Sequence, residues 1–291
     1  MSGPPAGRAG RILGGALFAG RPGGRRAETW RAVLIALVST LIVFGLLGAV
    51  VVNAPGWPLI QQTFFNGDYW ADSWPRQVAA IVTNVQLFLW AELFILPLAL
   101  GVAVLRSLPG PIFFPARLLA TVYVDVLRGV PGVLVIFLLG FGMPILGVEG
   151  IPTAPELWGV VALVLLYSAY VSEVYRAGIE SVHPSQEAAA RSLGLSRWQA
   201  LRFVVVPQAV RRVIPPLLND FIGLQKDTAL VSLIGVLEVF RQAQIDESAS
   251  FNFTPYLVTA TLFLILTVPL ARLTDWLVAR DRRSQLAALA R

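Results

Sequence analysis

The chain has 291 residues, of which 56% are hydrophobic and 14% charged, and its mean hydropathy is +0.70. That much apolar material excludes an ordinary soluble domain and sets the class as an integral membrane protein. The formal charge of +6 comes without a single cysteine and with one histidine, His183, which excludes disulfides, thiolate metal sites and a histidine-rich metal cluster.

Residues 1–31 are rich in Gly, Pro, Ala and Arg without apolar periodicity, and we read them as a disordered basic tail. From Ala32 to Val52 there is no charge, and at about 1.5 Å per residue this run covers roughly the 30 Å hydrocarbon core. It is too long for the apolar region of a signal peptide, about 7–15 residues, so an uncleaved span is expected. Residues 54–77 hold Trp57, Tyr69, Trp70 and Trp74 among polar groups, the composition of an external loop lying at an interface. Further spans are expected at about 80–105, 132–147, 157–179, 206–225 and 255–278. The segment 115–130 carries Arg117, Asp125 and Arg128 among apolar residues and reads as an amphipathic helix leading into the next span. No alternating ten-residue segments of a β-barrel occur, so the expected fold is all-α with about six transmembrane helices.

The arginines set an orientation. With the N-terminus inside, segments 1–31, 106–131, 176–212 and 271–291 face the cytoplasm and hold 6, 3, 6 and 5 basic residues, 20 of the chain's 23. This asymmetry predicts a multi-pass membrane protein, in contact with lipid and with both termini cytoplasmic. It also explains the basic balance without nucleic acid, for which no motif is present. Lys226 is the only lysine and follows Gln225, so a phosphate-binding Gly-Lys-Ser/Thr loop is impossible. Any linked ATP hydrolysis must reside on another polypeptide, and the chain is not expected to be an enzyme. An intramembrane serine protease is excluded by the position of His183, and Asn66-Gly67-Asp68 in a loop offers no aspartyl pair.

Residues 185–207 form an Ala- and Arg-rich segment with a central glycine, unusual beside spans built for lipid. Ala188, Ala189 and Ala190 favour a short helix with a narrow face. Gly194 can end it in a left-handed turn. Arg191, Arg197, Trp198 and Arg202 then offer charge and one large anchor to a partner. Aligned on Gly194 and Pro207, the segment resembles the EAA loop of permease subunits of binding-protein-dependent ABC importers, with Glu187 one residue ahead of the register position that Ala188 fills. The resemblance covers about 80–283 and is to permeases for polar amino acids, carried also by Tyr123–Pro131, Tyr170–Ile179 and Lys226–Gly235. It implies a type I permease core at 78–283 with a cytoplasmic coupling loop at 181–207, an extra span and external loop at 32–77, and a cytoplasmic tail at 284–291. It also implies coupling to ATPase subunits through Glu187, Ala188, Ala189, Ala190, Arg191, Gly194, Leu195, Arg197, Trp198 and Pro207. The implied partners are those ATPases, which would hold ATP and Mg, an extracytoplasmic solute-binding protein, and a second permease copy or paralogue. No cofactor is expected in the chain itself.

Charges at membrane depth cost about 2.5–3.5 kcal/mol on insertion scales and so mark candidate transport sites. Glu92 and Glu173, near Tyr170, are two. Asn219, Asp220, Gln225, Lys226, Asp227 and Thr228 follow the Pro215-Pro216 pair, a pattern resembling the discontinuous helices of transporters. Glu173 could face an amino acid's ammonium, and Lys226 or freed backbone amides its carboxylate. Against this stand a structural neutralisation of Lys226 and Asp227 and an interhelical hydrogen bond for Glu92. Glu238, Asp246 and Glu247 are read as a solvated external face. A channel or secondary transporter without a motor, and an ABC permease for another small solute, are the alternatives.

Overall fold

The computed structural model describes residues 24–289, with side chains from 30 to 280, and divides into two units, residues 1–61 and 62–291. The basic tail expected at 1–31 therefore falls outside the described residues as far as position 23. In the first unit, α1 (Gly24–Val52) is apolar on every side from Ala32 onward, with Leu34, Leu41, Phe44 and Val50 all exposed. A helix without a polar stripe suits lipid rather than water.

The expected loop at 54–77 is instead mostly helical. α2 (Trp57–Phe64) spans the boundary between the units, and α3 (Gly67–Ser107) begins only three residues later. The Asn66 side chain accepts from the backbone N–H groups of Asp68 at 3.0 Å and Tyr69 at 3.4 Å. An asparagine N-cap followed by an acid in the first turn is a helix-start signal, and here it outweighs the interfacial composition. Trp70 and Trp74 consequently stack one turn apart on α3, with ring centroids 6.0 Å apart. With 41 residues, α3 is about 60 Å long at 1.5 Å per residue, twice the hydrocarbon thickness.

α4 (Phe114–Gly129) is the expected amphipathic helix, and α5 (Gly132–Ile145) follows it after a bend of 105°. Pro131 sits at the bend, where its ring removes a donor and halts the first helix. The 14 residues of α5 reach about 21 Å, too short to cross alone as the expected span at 132–147 would, and α4 with α5 is long and apolar enough only as a bent pair. α6 (Pro155–Glu180) is the central post. Leu163 and Leu166 of α6 pack with Phe88, Ala91 and Ile95 of α3, Ile136 of α5 and Leu224 further along the chain. Tyr123 of α4 donates to the Leu165 carbonyl at 2.9 Å and lies 2.6 Å from the Ser168 hydroxyl, fixing α4 on α6.

After α6 come α7 (Pro184–Ser192) and α8 (Arg197–Ala200), then a π turn at Leu201–Val205 that runs into α9 (Val206–Asp227). A 3-10 turn at Thr228–Ile234, α10 (Val239–Ser250) and α11 (Thr254–Leu289) complete the chain. The segment expected as a tail at 284–291 is helical backbone as far as Leu289. Among the described residues four helices are long and apolar enough to cross a membrane, and six spans result when each of two bent pairs is taken as one. That is the expected number.

A buried polar network closes the part of the bundle formed by α10 and the N-terminal half of α3. Glu238, 0% exposed, caps α10 by accepting from the N–H groups of Phe240 at 2.9 Å and Arg241 at 2.7 Å. Asn84 of α3 donates to Glu238 at 2.9 Å and to Thr228 at 3.1 Å, and accepts from the Val239 N–H at 3.0 Å. Asp246 is buried as well and accepts from Arg76 at 3.1 Å. The solvated face expected for Glu238 and Asp246 is therefore wrong. Their charges are spent inside, on a helix cap and an ion pair, because the unpaired N–H groups at the start of α10 need an acceptor.

Candidate functional site

Two features of the second unit carry functional groups: a rod that projects from the helix ends and a cleft beside α6. The rod is α7 and α8. His183 opens α7, its Nδ1 accepting from the Ser185 N–H at 3.2 Å. Gly194 closes it with φ of +90°, while the N–H of Gly194 donates to the Arg191 carbonyl at 3.0 Å and that of Leu195 to Ala190 at 3.3 Å. This pair of bonds is a Schellman motif, and the left-handed position is the one that favours glycine. Ser196 then starts α8 by a capping box with Gln199, with bonds of 2.9 and 3.3 Å.

Every group that shapes this turn is local, so the rod keeps its form without burying much surface. Leu193 is 86% exposed, Trp198 69% and Phe203 63%, beside exposed Ala188, Ala189, Arg191 and Arg197. Glu187 stands 3.8 Å from Arg197 across the two helices, and Leu195 is half-buried. Ala190 alone of the three alanines turns inward. The root of the rod is firm: Val182, Val205 and Ala209 form a small apolar cluster, and Arg212 of α9 donates to the Ser181 carbonyl. Exposed Pro207 lies in the first turn of α9, just after the π turn.

The cleft lies between the α4–α5 bend, α6 and α9. Its outer part is lined by Arg128, Tyr170, Glu173, Arg212 and Asp220. Its inner part is lined by Gly132, Tyr167, Tyr170, Asp220, Asp227 and Leu230. Tyr170 and Asp220 belong to both, so the two parts adjoin. The Arg128 guanidinium sits over the Tyr170 ring, 5.7 Å from its centroid, with no carboxylate partner among the described residues. Asp220 has a buried oxygen, Oδ2, without a hydrogen-bond partner, and Glu92 of α3 is within electrostatic range of it. Asp227 accepts from the Tyr167 hydroxyl at 2.8 Å.

The predicted substrate-path residues separate. Tyr170, Glu173 and Asp227 reach the cleft, whereas Glu92 does not line it and lies only within electrostatic range of Asp220. Glu173 is not free to meet a ligand's ammonium, because Arg106 of α3 and Arg176 both pair with its carboxylate, the latter at 2.6 Å. Asn219 lines a separate groove with Thr274 and Asp275 of α11. Gln225 is buried against Thr267 of α11 at 2.8 Å, and Thr228 belongs to the Asn84 network. Lys226 is exposed and makes no ion pair among the described residues. Asp220, a candidate from the sequence after the Pro215-Pro216 pair, does line the cleft, and Arg128 is the group that sequence reasoning missed as a site residue. Asp220 and Asp227 are seven apart on one helix, which places both carboxylates on one face.

Residues 95–283 match the family described as "Binding-protein-dependent transport system inner membrane component". The chain belongs to this family. The permease is 36% identical over 190 residues to the probable glutamine ABC transporter permease protein GlnM of Bacillus subtilis (strain 168), covering 64% of this chain and 84% of that one. It is 32% identical over 209 residues to the glutamine transport system permease protein GlnP of Escherichia coli (strain K12), covering 69% and 92%. Among solved structures, one described as an amino acid ABC transporter with histidines shares 33% identity and a TM-score of 0.65, covering 71% of this chain and 94% of that one. The MetNI methionine ABC transporter, at 19% identity and a TM-score of 0.55 over 70% of this chain and 95% of that one, shares the fold. The permease is thus a multi-pass membrane component of an ABC importer, and both the rod and the cleft lie inside the family match.

Proposed function

We propose that the permease passes amino acids through the cleft beside α6, driven by ATPase subunits that seat on the α7–α8 rod. The observation that carries this reading is the cleft's pair of opposite charges: Arg128 and Asp220 line one cavity, and neither has an ion-pair partner among the described residues. Arg128 is exposed and Asp220 half-buried, and a zwitterion offers each the opposite charge that no described residue supplies. The names of the relatives GlnM and GlnP, and of the 33% identical structure, support amino acids as the substrate class.

The rod supplies the motor's attachment. Exposed Leu193 and Trp198 beside arginines make an anchor suited to a protein groove. Movement of the rod reaches the cleft through α6 and α9, since Val182, Val205 and Ala209 join its root to both helices. Closure of the ATPases would then shift the balance between two orientations of the cleft, and an external binding protein contributes by preferring one of them. ATP and Mg belong to the ATPase partners, not to this chain. The rod, the three other arginine-rich segments and both termini face the cytoplasm of the cell's inner membrane in this reading, and a second permease copy or paralogue completes the pathway.

The test is uptake into proteoliposomes holding the permease, its ATPase and its binding protein. Arg128→Met and Asp220→Asn are each expected to lower ATP-driven amino acid uptake at least tenfold while the complex still assembles. Uptake at the wild-type rate in both variants would remove the cleft from the pathway. Uptake that persists without ATP would restore the motor-independent alternative.

A further inference from the structure

A second concavity lies between α3 and α6, away from the cleft. Its volume is about 350 Å³, and it shares no lining residue with either part of the cleft. Thr83, Gln86, Trp90 and Phe94 recur every three or four residues, so its α3 wall is one stripe of that helix. Leu157 and Val160 of α6 form the opposite wall, with Glu156 at its end. Trp90 and Phe94 are more than half exposed, and so are Leu89 and Leu93 beside them. The groove therefore opens sideways from the bundle.

Its polar groups gather at one end. Phe88 and Ile95 of α3 share a core with Leu163 of α6, and further along Arg106 pairs with Glu173, so the two helices run parallel. Glu156 is then level with Thr83 and Gln86, and Val160 with Trp90. The spans read from the sequence begin at about 80 on α3 and about 157 on α6. That puts the polar end at one membrane surface and the aromatic end in the hydrocarbon. From Thr83 to Phe94 is about 17 Å at 1.5 Å per residue, close to the roughly 15 Å depth of one leaflet.

The polar end also selects a head group. Glu156 is exposed and makes no ion pair among the described residues, and no basic residue lines the groove. A head group of net negative charge would meet only a carboxylate there. A primary ammonium has N–H groups for Glu156 and for the side-chain oxygens of Gln86 and Thr83, whereas a quaternary ammonium has none to donate. We propose that this groove binds one phospholipid of the ethanolamine type, with an acyl chain along Trp90 and Phe94 and the ammonium on Glu156.

The experiment strips the permease–ATPase complex of lipid in detergent and equilibrates it with micelles holding equal parts of phosphatidylethanolamine, phosphatidylcholine and phosphatidylglycerol. Native mass spectrometry then counts the lipid retained. Phosphatidylethanolamine is expected to exceed each of the others roughly fivefold, the worth of one partly exposed charge-assisted bond. Glu156→Gln should retain lipid without that preference. Val160→Trp fills the groove and should remove the preference although Glu156 is intact. If Val160→Trp fails to fold, phosphatidylethanolamine with a photoreactive acyl chain should label the wild-type segment 90–94. Equal retention of the three lipids by the wild type, or an unchanged preference in Glu156→Gln, would overturn the proposal. So would capture of a second permease chain instead of lipid when Trp90 is replaced by a photoreactive phenylalanine derivative. None of these readouts depends on uptake through the cleft.

Discussion

Gly178 is where the cleft, the rod and the bundle meet, and replacing it should disturb all three. A Cβ built at this position would lie 2.0 Å from Cγ2 of Val213, 3.4 Å from its Cβ and 3.5 Å from the Ala209 carbonyl oxygen. The first distance is far inside van der Waals contact. Val213 is 6% exposed and β-branched on a helix, so it has little freedom to rotate away. The strain must then be relieved by parting α6 from α9, the two helices that flank the cleft and root the rod. Overpacking of this kind costs typically about 1–3 kcal/mol. Gly178→Ala should therefore lower the stability of the permease by that amount, read as a shift in its denaturation curve in detergent, and reduce ATP-driven uptake with it. Val213→Ala removes the opposing methyls, and the double variant should recover part of the loss. A coupling of about 1 kcal/mol or more between the two sites is expected from a double-mutant cycle. Strictly additive effects, or a Gly178→Ala permease as stable as the wild type, would refute the claim that close approach at this crossing sets the spacing of α6 and α9.

Other positions give simpler outcomes. Glu238→Ala leaves Asn84 and the first N–H groups of α10 without their acceptor, and should cost about 2 kcal/mol in the same denaturation assay. Glu238→Gln, which keeps an acceptor, should cost less. Gly194→Val places a β-branched residue at φ of +90° and should dissolve the turn between α7 and α8, seen as loss of co-purified ATPase, whereas Gly194→Asn should be tolerated.

Much of this was legible in the chain, for identifiable reasons. The spans announce themselves because lipid demands long apolar runs, and the rod because its alanines, Gly194 and Ser196 encode caps that need no distant partner. What could not be read was the pairing of residues brought together by the bundle. Glu173 looked like a free carboxylate until Arg106, 67 residues earlier, was found beside it. Glu238 looked solvated because nothing local says that Asn84 will meet it. Arg128 is an ordinary basic residue of an amphipathic helix in the sequence. Only the 105° bend after α4 turns it into the wall of a cleft facing α6 and α9. The start of α3 differs for the opposite reason: its Asn66 cap is local, but it lies in a segment whose interfacial aromatics suggest a loop.

The measurement closest to the heart of this account is photo-cross-linking in native membranes from position 198. Trp198 replaced by a photoreactive phenylalanine derivative should capture one nucleotide-binding subunit, with a yield that changes when a non-hydrolysable ATP analogue is added. Capture of lipid alone, or labelling of position 198 by a reagent confined to the external face, would contradict both the rod's role and the orientation on which the transport cycle depends.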